Sequence, residues 1–164
     1  MQANLRNEHL DTFLRAVWFS YSAVIMLGAN VVFILRGDTR RYLVSLVLVL
    51  SAGLLVHYLL PTEPPWMAVE GVLRVEGEQY TSMDKNLTAA MPSIHQAVAS
   101  LFGCALWKYR TYGRFLALAY TVAMSAAIVY LGEHYFVDSI AGVALALGSW
   151  VSAKRVLRVF QARL

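Results

Sequence analysis

Apolar residues are grouped along the chain in long blocks that short polar segments separate. Four blocks contain no Lys, Arg, Asp or Glu, and a fifth is interrupted only by Asp138. Blocks of about 18 to 22 residues are long enough for a helix to cross roughly 30 Å of hydrocarbon. The pattern therefore predicts an all-α fold, a polytopic membrane bundle of about five transmembrane helices. The predicted spans in this single domain of residues 1–164 are about 16–35, 42–60, 91–107, 115–132 and 136–153.

Composition agrees with a membrane location. The chain is 59% apolar and 15% charged, whereas typical soluble domains are about 25% charged. Residues 1–15 mix charged and apolar positions and do not resemble a cleaved signal peptide. They predict either a short interfacial helix or a frayed terminus. The lone cysteine, Cys104, lies within the third block and has no second cysteine with which to pair.

The charged residues predict the orientation of the bundle. Basic residues follow the first, third and fifth blocks, so the positive-inside rule places these three connections in the cytoplasm. The connection 61–90 carries more acids than bases and is expected outside, as is the amino terminus. The net charge of +4 is thus explained by membrane topology, and no nucleic-acid partner is expected.

The connection 61–90 is also unusually long, and it opens with Pro-Thr-Glu-Pro-Pro-Trp. Proline removes a backbone donor and stops the preceding helix. Loops of this length are uncommon unless they are functional or disordered. Two interpretations stay open: a lid or substrate-access element, or an ordinary extracytoplasmic linker.

Three polar residues are expected at the outer face, where apolar blocks meet that loop. They are His95, His134 and Asp138. The last two are spaced i, i+4, so on one helix a carboxylate oxygen of Asp138 could accept the Nδ1 proton of His134. An imidazole oriented in this way is a nucleophile or a base, and the carboxylate stabilises positive charge on the ring.

His95 follows Met91-Pro92-Ser93-Ile94, which reads as the start of a helix with proline in its first turn. Ser93 can supply a hydroxyl there, and free amide groups at a helix start attract anions. His95 could then give a proton to a leaving oxygen and recover it from an incoming hydroxyl.

These segments resemble a known family. Ala90 to His95 is similar to the second signature of the phosphatidic-acid-phosphatase type 2 superfamily, usually Pro-Ser-x-His, and Tyr130 to Asp138 is similar to the third. The closest resemblance is to the inositol-phosphotransferase branch, which includes inositol phosphorylceramide synthases. It rests on the His-Tyr-x-x-Asp form of the third signature and on the Pro-Thr-x-Pro-Pro-Trp stretch. The resemblance covers roughly residues 44–151. It implies that His134 is the nucleophile that forms a phosphohistidine, that Asp138 orients it and that His95 is the acid.

The chain also departs from the family pattern. The first signature of the wider superfamily, Lys-x6-Arg-Pro, is absent, and Ile128 occupies the position of an expected arginine. Arg74 and Lys85 in the outer loop are the candidate substitutes for binding phosphate, and each could instead contact lipid headgroups. Glu133 is expected to face the headgroup layer.

Members of the branch tend to have six spans, so a first helix is missing by this comparison. A shorter natural member, a truncated chain, or an oligomer or partner that supplies the helix each explains this.

The expected function is a membrane lipid-phosphate phosphotransferase or phosphatase at the outer face, most like an inositol-phosphoryl transferase. Its partners are a lipid phosphate or phospholipid substrate and the bilayer. A histidine nucleophile requires neither metal nor cofactor, so none is expected. One alternative is a phosphatase that acts on phosphatidate or polyprenyl phosphate. Another, from a different class, is a non-catalytic membrane protein with a proton relay or a lipid-binding cavity.

Overall fold

The computed structural model describes residues 7–74 and 88–162, and the described chain is largely helical. In chain order the helices are α1 (Glu8–Ile34), α2 (Thr39–Leu59), the one-turn α3 (Pro65–Ala68), α4 (Ile94–Leu106), α5 (Arg110–Tyr130) and α6 (Phe136–Gln161). The prediction of a helical membrane bundle is confirmed, because α1, α2, α5 and α6 are each long and apolar enough to cross a bilayer.

The third predicted span is shorter than expected. The sequence predicts a span over 91–107, whereas α4 has 13 residues, a length of about 20 Å at 1.5 Å per residue. Pro92 lies before the helix rather than in its first turn, because Ser93 is the N-cap and its Oγ accepts a hydrogen bond from the backbone of Gln96 at 3.3 Å. The chain then leaves the helix at Trp107.

This short helix is the centre of the bundle. It packs against α1, α2, α5 and α6, and Ala97, Val98 and Leu101 on it are fully buried. Van der Waals packing of its apolar side chains against four longer helices stabilises α4.

A close contact between α4 and α6 sets the position of the polar candidates. A Cβ atom at Gly142 would lie 2.5 Å from the carbonyl oxygen of Ser93, so only glycine lets the two backbones approach this closely. The backbone N–H of Ser93 donates to the carbonyl of Asp138 at 3.2 Å. The first turns of α4 and α6 are therefore joined side by side.

The described ends of the outer connection are also held together. Thr62 N–H donates to the carbonyl of Thr88 at 2.9 Å, and Ala90 N–H donates to that of Thr62 at 3.1 Å. Residues 75–87, and with them Lys85 and the middle part of the expected lid, lie outside the described residues. At the amino terminus, α1 is continuous from Glu8 through the first span, with Asn7 as its N-cap, instead of beginning with a separate interfacial helix.

Candidate active site

His134 lies in the turn between α5 and α6. Gly132, with φ of +81°, ends α5 in a left-handed conformation that favours glycine. The backbone N–H groups of Glu133 and His134 both donate to the carbonyl of Ile128 at 3.1 Å. The turn thus holds the backbone of His134 against the end of α5.

The ring of His134 is buried, and its Nδ1 lies 2.7 Å from the carbonyl oxygen of Ala90. A carbonyl oxygen can only accept, so the hydrogen bond assigns the proton to Nδ1. In the neutral ring, Nε2 then carries the lone pair and is the nucleophilic atom.

The expectation that His134 Nδ1 donates a hydrogen bond to Asp138 is wrong. The Asp138 Oδ2 atom lies 3.7 Å from Nδ1 and accepts instead from the backbone N–H of Tyr135 at 2.7 Å. His134 precedes α6, so the two residues do not have the helical i, i+4 geometry on which the expectation rested. Asp138 is nevertheless buried close to the imidazole, where a carboxylate stabilises positive charge on the ring.

His95 faces His134 across the junction of α4 and α6. Its Nδ1 lies 3.4 Å from His134 Nε2, and the two ring centroids are 5.5 Å apart. With the lone pair on His134 Nε2, His95 Nδ1 is the donor in this contact. The structure therefore brings together the two histidines that lie 39 positions apart in the chain.

Two aromatic residues of α1 hold His95 and were not identified from the sequence. Trp18 stacks on the imidazole with a centroid distance of 5.1 Å, and Tyr21 packs edge-on at 4.2 Å. Their i, i+3 spacing puts them on one face of a helix. That spacing is a weak signal, because aromatic residues are common in membrane helices.

Ser93 and His57 support the start of α4. Ser93 is fully buried, and its Oγ caps the helix rather than lying open to solvent. His57 Nε2 lies 2.9 Å from the carbonyl oxygen of Pro92. This contact fixes the segment that leads into His95.

Arg74 pairs with the residue that precedes His134. Its Nε is 2.6 Å from Glu133 Oε1, its Nη2 is 3.3 Å from Oε2, and its guanidinium lies 4.8 Å from the centre of the Trp66 ring. Both side chains of the ion pair are buried. The expectation that Glu133 faces the headgroup layer is therefore wrong, and the guanidinium of Arg74 already binds a carboxylate.

Comparisons with known proteins identify the family and the fold of this chain. A family model described as the PAP2 superfamily matches residues 2–152. The chain belongs to the PAP2 superfamily. Its fold is similar to the crystal structure of Aquifex aeolicus LpxE, with a TM-score of 0.79 and 15% sequence identity over 93% of this chain and 89% of that one. No curated protein matches the sequence.

This PAP2 chain is an integral membrane protein, and its family supports the activity of a membrane lipid phosphatase, a phosphoester hydrolase. Its expected place in the inositol-phosphotransferase branch rests on the sequence signatures alone. In residues 7–74 and 88–162, no three His, Cys, Asp or Glu side chains form a group suited to a metal ion.

Proposed function

We propose that this PAP2 protein cleaves a lipid phosphate ester through a phosphohistidine on His134. The observation that carries the proposal is the contact of 3.4 Å between His134 Nε2 and His95 Nδ1. A phosphoryl group that separates these facing atoms meets a nucleophile on one side and a proton donor on the other. This is the in-line arrangement that phosphoryl transfer requires.

The reaction has two steps. The Nε2 lone pair of His134 forms the bond to phosphorus while the ester P–O bond breaks, and the Nδ1 proton of His95 passes to the leaving oxygen. A water or alcohol then attacks phosphorus and returns a proton to His95 as the N–P bond breaks. The Ala90 carbonyl keeps the tautomer of His134, and the buried Asp138 carboxylate stabilises the positive ring of the intermediate.

Water is the acceptor in the phosphatase reaction, which the family supports. The second candidate is transfer to an alcohol, as in inositol-phosphoryl transfer. The His134-Tyr-x-x-Asp138 signature and the proline-rich stretch at 61–66 favour it. Labelled phosphatidate alone, and labelled phosphoinositide with and without an acceptor lipid, distinguish the two. Release of free phosphate without an acceptor would exclude obligate transfer.

The histidine roles are tested with His134→Ala and His95→Ala. We expect His134→Ala to lose the phosphorylated intermediate and at least about a thousandfold of kcat. His95→Ala should form that intermediate slowly from a poor leaving group and more readily from a nitrophenyl phosphate, which needs no proton donor. Full activity of both folded variants would favour the non-catalytic alternative, a proton relay or lipid-binding cavity.

The proposed phosphate-binding residues remain Ser93, Arg74 and Lys85. The observations that support them differ from one residue to the next. Arg74 is next to the site because its partner Glu133 adjoins His134. A phosphoryl group carries more charge than a carboxylate and could replace Glu133 on the guanidinium. Ser93 would contribute through the start of α4. Lys85 is proposed from its place in the outer loop alone.

We also propose that the site faces outward and that the carboxyl terminus is cytoplasmic. His95 is in the first turn of α4, whereas Lys108 follows the other end of this helix. Lys108, the basic residues that follow α1 and those in the last turns of α6 are expected in the cytoplasm by the positive-inside rule. This leaves the histidines at the outer end.

A further inference from the structure

A cavity lies toward the end of α4 opposite the histidines. It has a volume of about 560 Å³ and is bounded by α4, α5 and α6. Its lining includes Ser100, Gly103 and Cys104 of α4, together with Leu118 of α5 and Leu147 of α6. His95 and His134 are not among the residues that line it, so it is separate from the proposed active site.

The cavity follows from the packing of the bundle. The helices α5 and α6 each pack along α4 but touch each other only slightly. Small residues in the lining, with Gly103 against Ala117, leave the space between α5 and α6 unfilled. Its volume lies within the range of about 300 to 1,000 Å³ that is typical of small-molecule sites.

Basic and indole side chains are among the residues that line this cavity. Arg41 donates from Nε and Nη2 to the carbonyl of Trp150 at 3.0 and 2.8 Å, and its guanidinium lies 4.0 Å from the centre of the Trp150 ring. Lys108 donates to the carbonyl of Arg36. Both cations and both indoles, Trp107 and Trp150, line the cavity.

Within the described part of the chain, neither the Arg41 guanidinium nor the Lys108 ammonium forms a salt bridge with a carboxylate. Their side chains donate to neutral carbonyls, while the Asp38 carboxylate accepts from the backbone N–H of Arg41 at 3.0 Å. Indole rings are enriched at membrane interfaces, where an apolar body meets a polar layer. An apolar cavity whose lining also includes two cations and two indoles is complementary to an acyl chain that carries an anionic headgroup.

We propose that this cavity binds an anionic phospholipid of the cytoplasmic leaflet. One acyl chain fills the space between α5 and α6, and the phosphate binds Arg41 and Lys108. The ligand is a resident lipid rather than a substrate, because its phosphate lies at the far end of α4 from His134. The proposal does not depend on the phosphohistidine mechanism.

Native mass spectrometry of the full chain in detergent tests the proposal, with phosphatidylglycerol and phosphatidylcholine of matched chains as probes. We expect one tightly retained phosphatidylglycerol per chain, bound about tenfold more tightly than phosphatidylcholine, as about 1.4 kcal/mol would give. Equal retention of the two lipids would overturn the proposal.

Three variants localise the site. Arg41→Gln and Lys108→Gln should each weaken retention of phosphatidylglycerol several-fold. The matched control Arg40→Gln removes the same charge from an exposed neighbour in α2 that does not line the cavity, and it should retain the lipid. If all three variants weaken binding equally, the attraction is diffuse and the proposed site is wrong. Lys108→Gln is informative even if loss of the Arg41–Trp150 contact prevents folding.

Filling the cavity gives an independent check. Leu147→Trp keeps every charge but occupies the space of the acyl chain, so it should abolish the retained lipid while phosphatase activity in detergent persists. A dimer that retains no lipid and dissociates in Leu147→Trp would show instead that a second copy of the chain fills the cavity.

Discussion

At the residue scale, the chemistry of His134 depends on the group that holds its Nδ1 proton. The Ala90 carbonyl accepts that proton at 2.7 Å. The Asp138 carboxylate lies 3.7 Å from Nδ1 and accepts a hydrogen bond from Tyr135 at the start of α6. Ala90 could not have been found from sequence spacing, because it lies 44 positions from His134 and any residue type supplies a carbonyl. Proximity of His95 to His134 followed from predicted topology, but the distance between the rings did not.

Glu133 and Arg74 can be tested at this scale. If the carboxylate competes with phosphate for Arg74, Glu133→Gln should lower KM, whereas Arg74→Gln should raise KM at least about tenfold. If the pair instead only positions His134, both variants should lower kcat with little change in KM. Steady-state kinetics with a soluble short-chain lipid phosphate distinguishes these outcomes.

Trp18 gives a second test. Trp18→Ala removes the ring stacked on His95 and should lower kcat about tenfold or more through misplacement of the proton donor. Trp18→Phe retains an aromatic face and should recover most of the rate. Met26→Ala, an exposed position on the same helix, is the control and should leave kcat unchanged. Equal rates for all three variants would mean that Trp18 does not position His95.

At the element scale, the junction of α4 and α6 determines the geometry of the site. The helix α4 is short and central, and its first turn lies against α6 because Gly142 leaves no side chain between the backbones. The sequence predicted a longer third span, since apolar composition does not reveal where Ser93 caps the helix. Hydropathy identified the α4 segment, and local capping determined its start.

Two glycines of α6 provide a matched pair. Gly142→Ala would place Cβ 2.5 Å from Ser93 O and 3.2 Å from Ala97 N, and these backbone atoms flank His95 on α4. We expect a loss of about 1 to 3 kcal/mol of stability from overpacking, with reduced kcat. Gly148→Ala meets nothing within 4 Å and should keep or raise the melting temperature, because alanine favours helices over glycine by about 1 kcal/mol. Thermal unfolding in detergent measures the stability of both variants. An unchanged melting temperature for Gly142→Ala would refute the close contact between α4 and α6.

At the scale of the whole molecule, the helices separate two ends with different properties. The histidine pair lies at one end of α4, and the cavity with its basic residues lies toward the other. The orientation of these ends in the membrane is testable by labelling.

A background with Cys104→Ala allows single cysteines to be placed at two exposed positions, Glu70 and Arg155. In intact cells, an impermeant maleimide should label Glu70→Cys, because the outer loop precedes the histidine site. It should label Arg155→Cys only after permeabilisation. The reverse pattern would place the proposed active site in the cytoplasm.

The sequence by itself determined the class of the protein, its polytopic helical fold and the segments that carry the histidines. These features depend on local properties, since hydrocarbon requires each crossing segment to be apolar and to satisfy its own backbone hydrogen bonds. Only the tertiary structure decided that Ala90 holds His134, that Trp18 stacks on His95 and that Glu133 pairs with Arg74. Such contacts depend on how helices rotate and approach one another, which the spacing of residues along one helix does not specify.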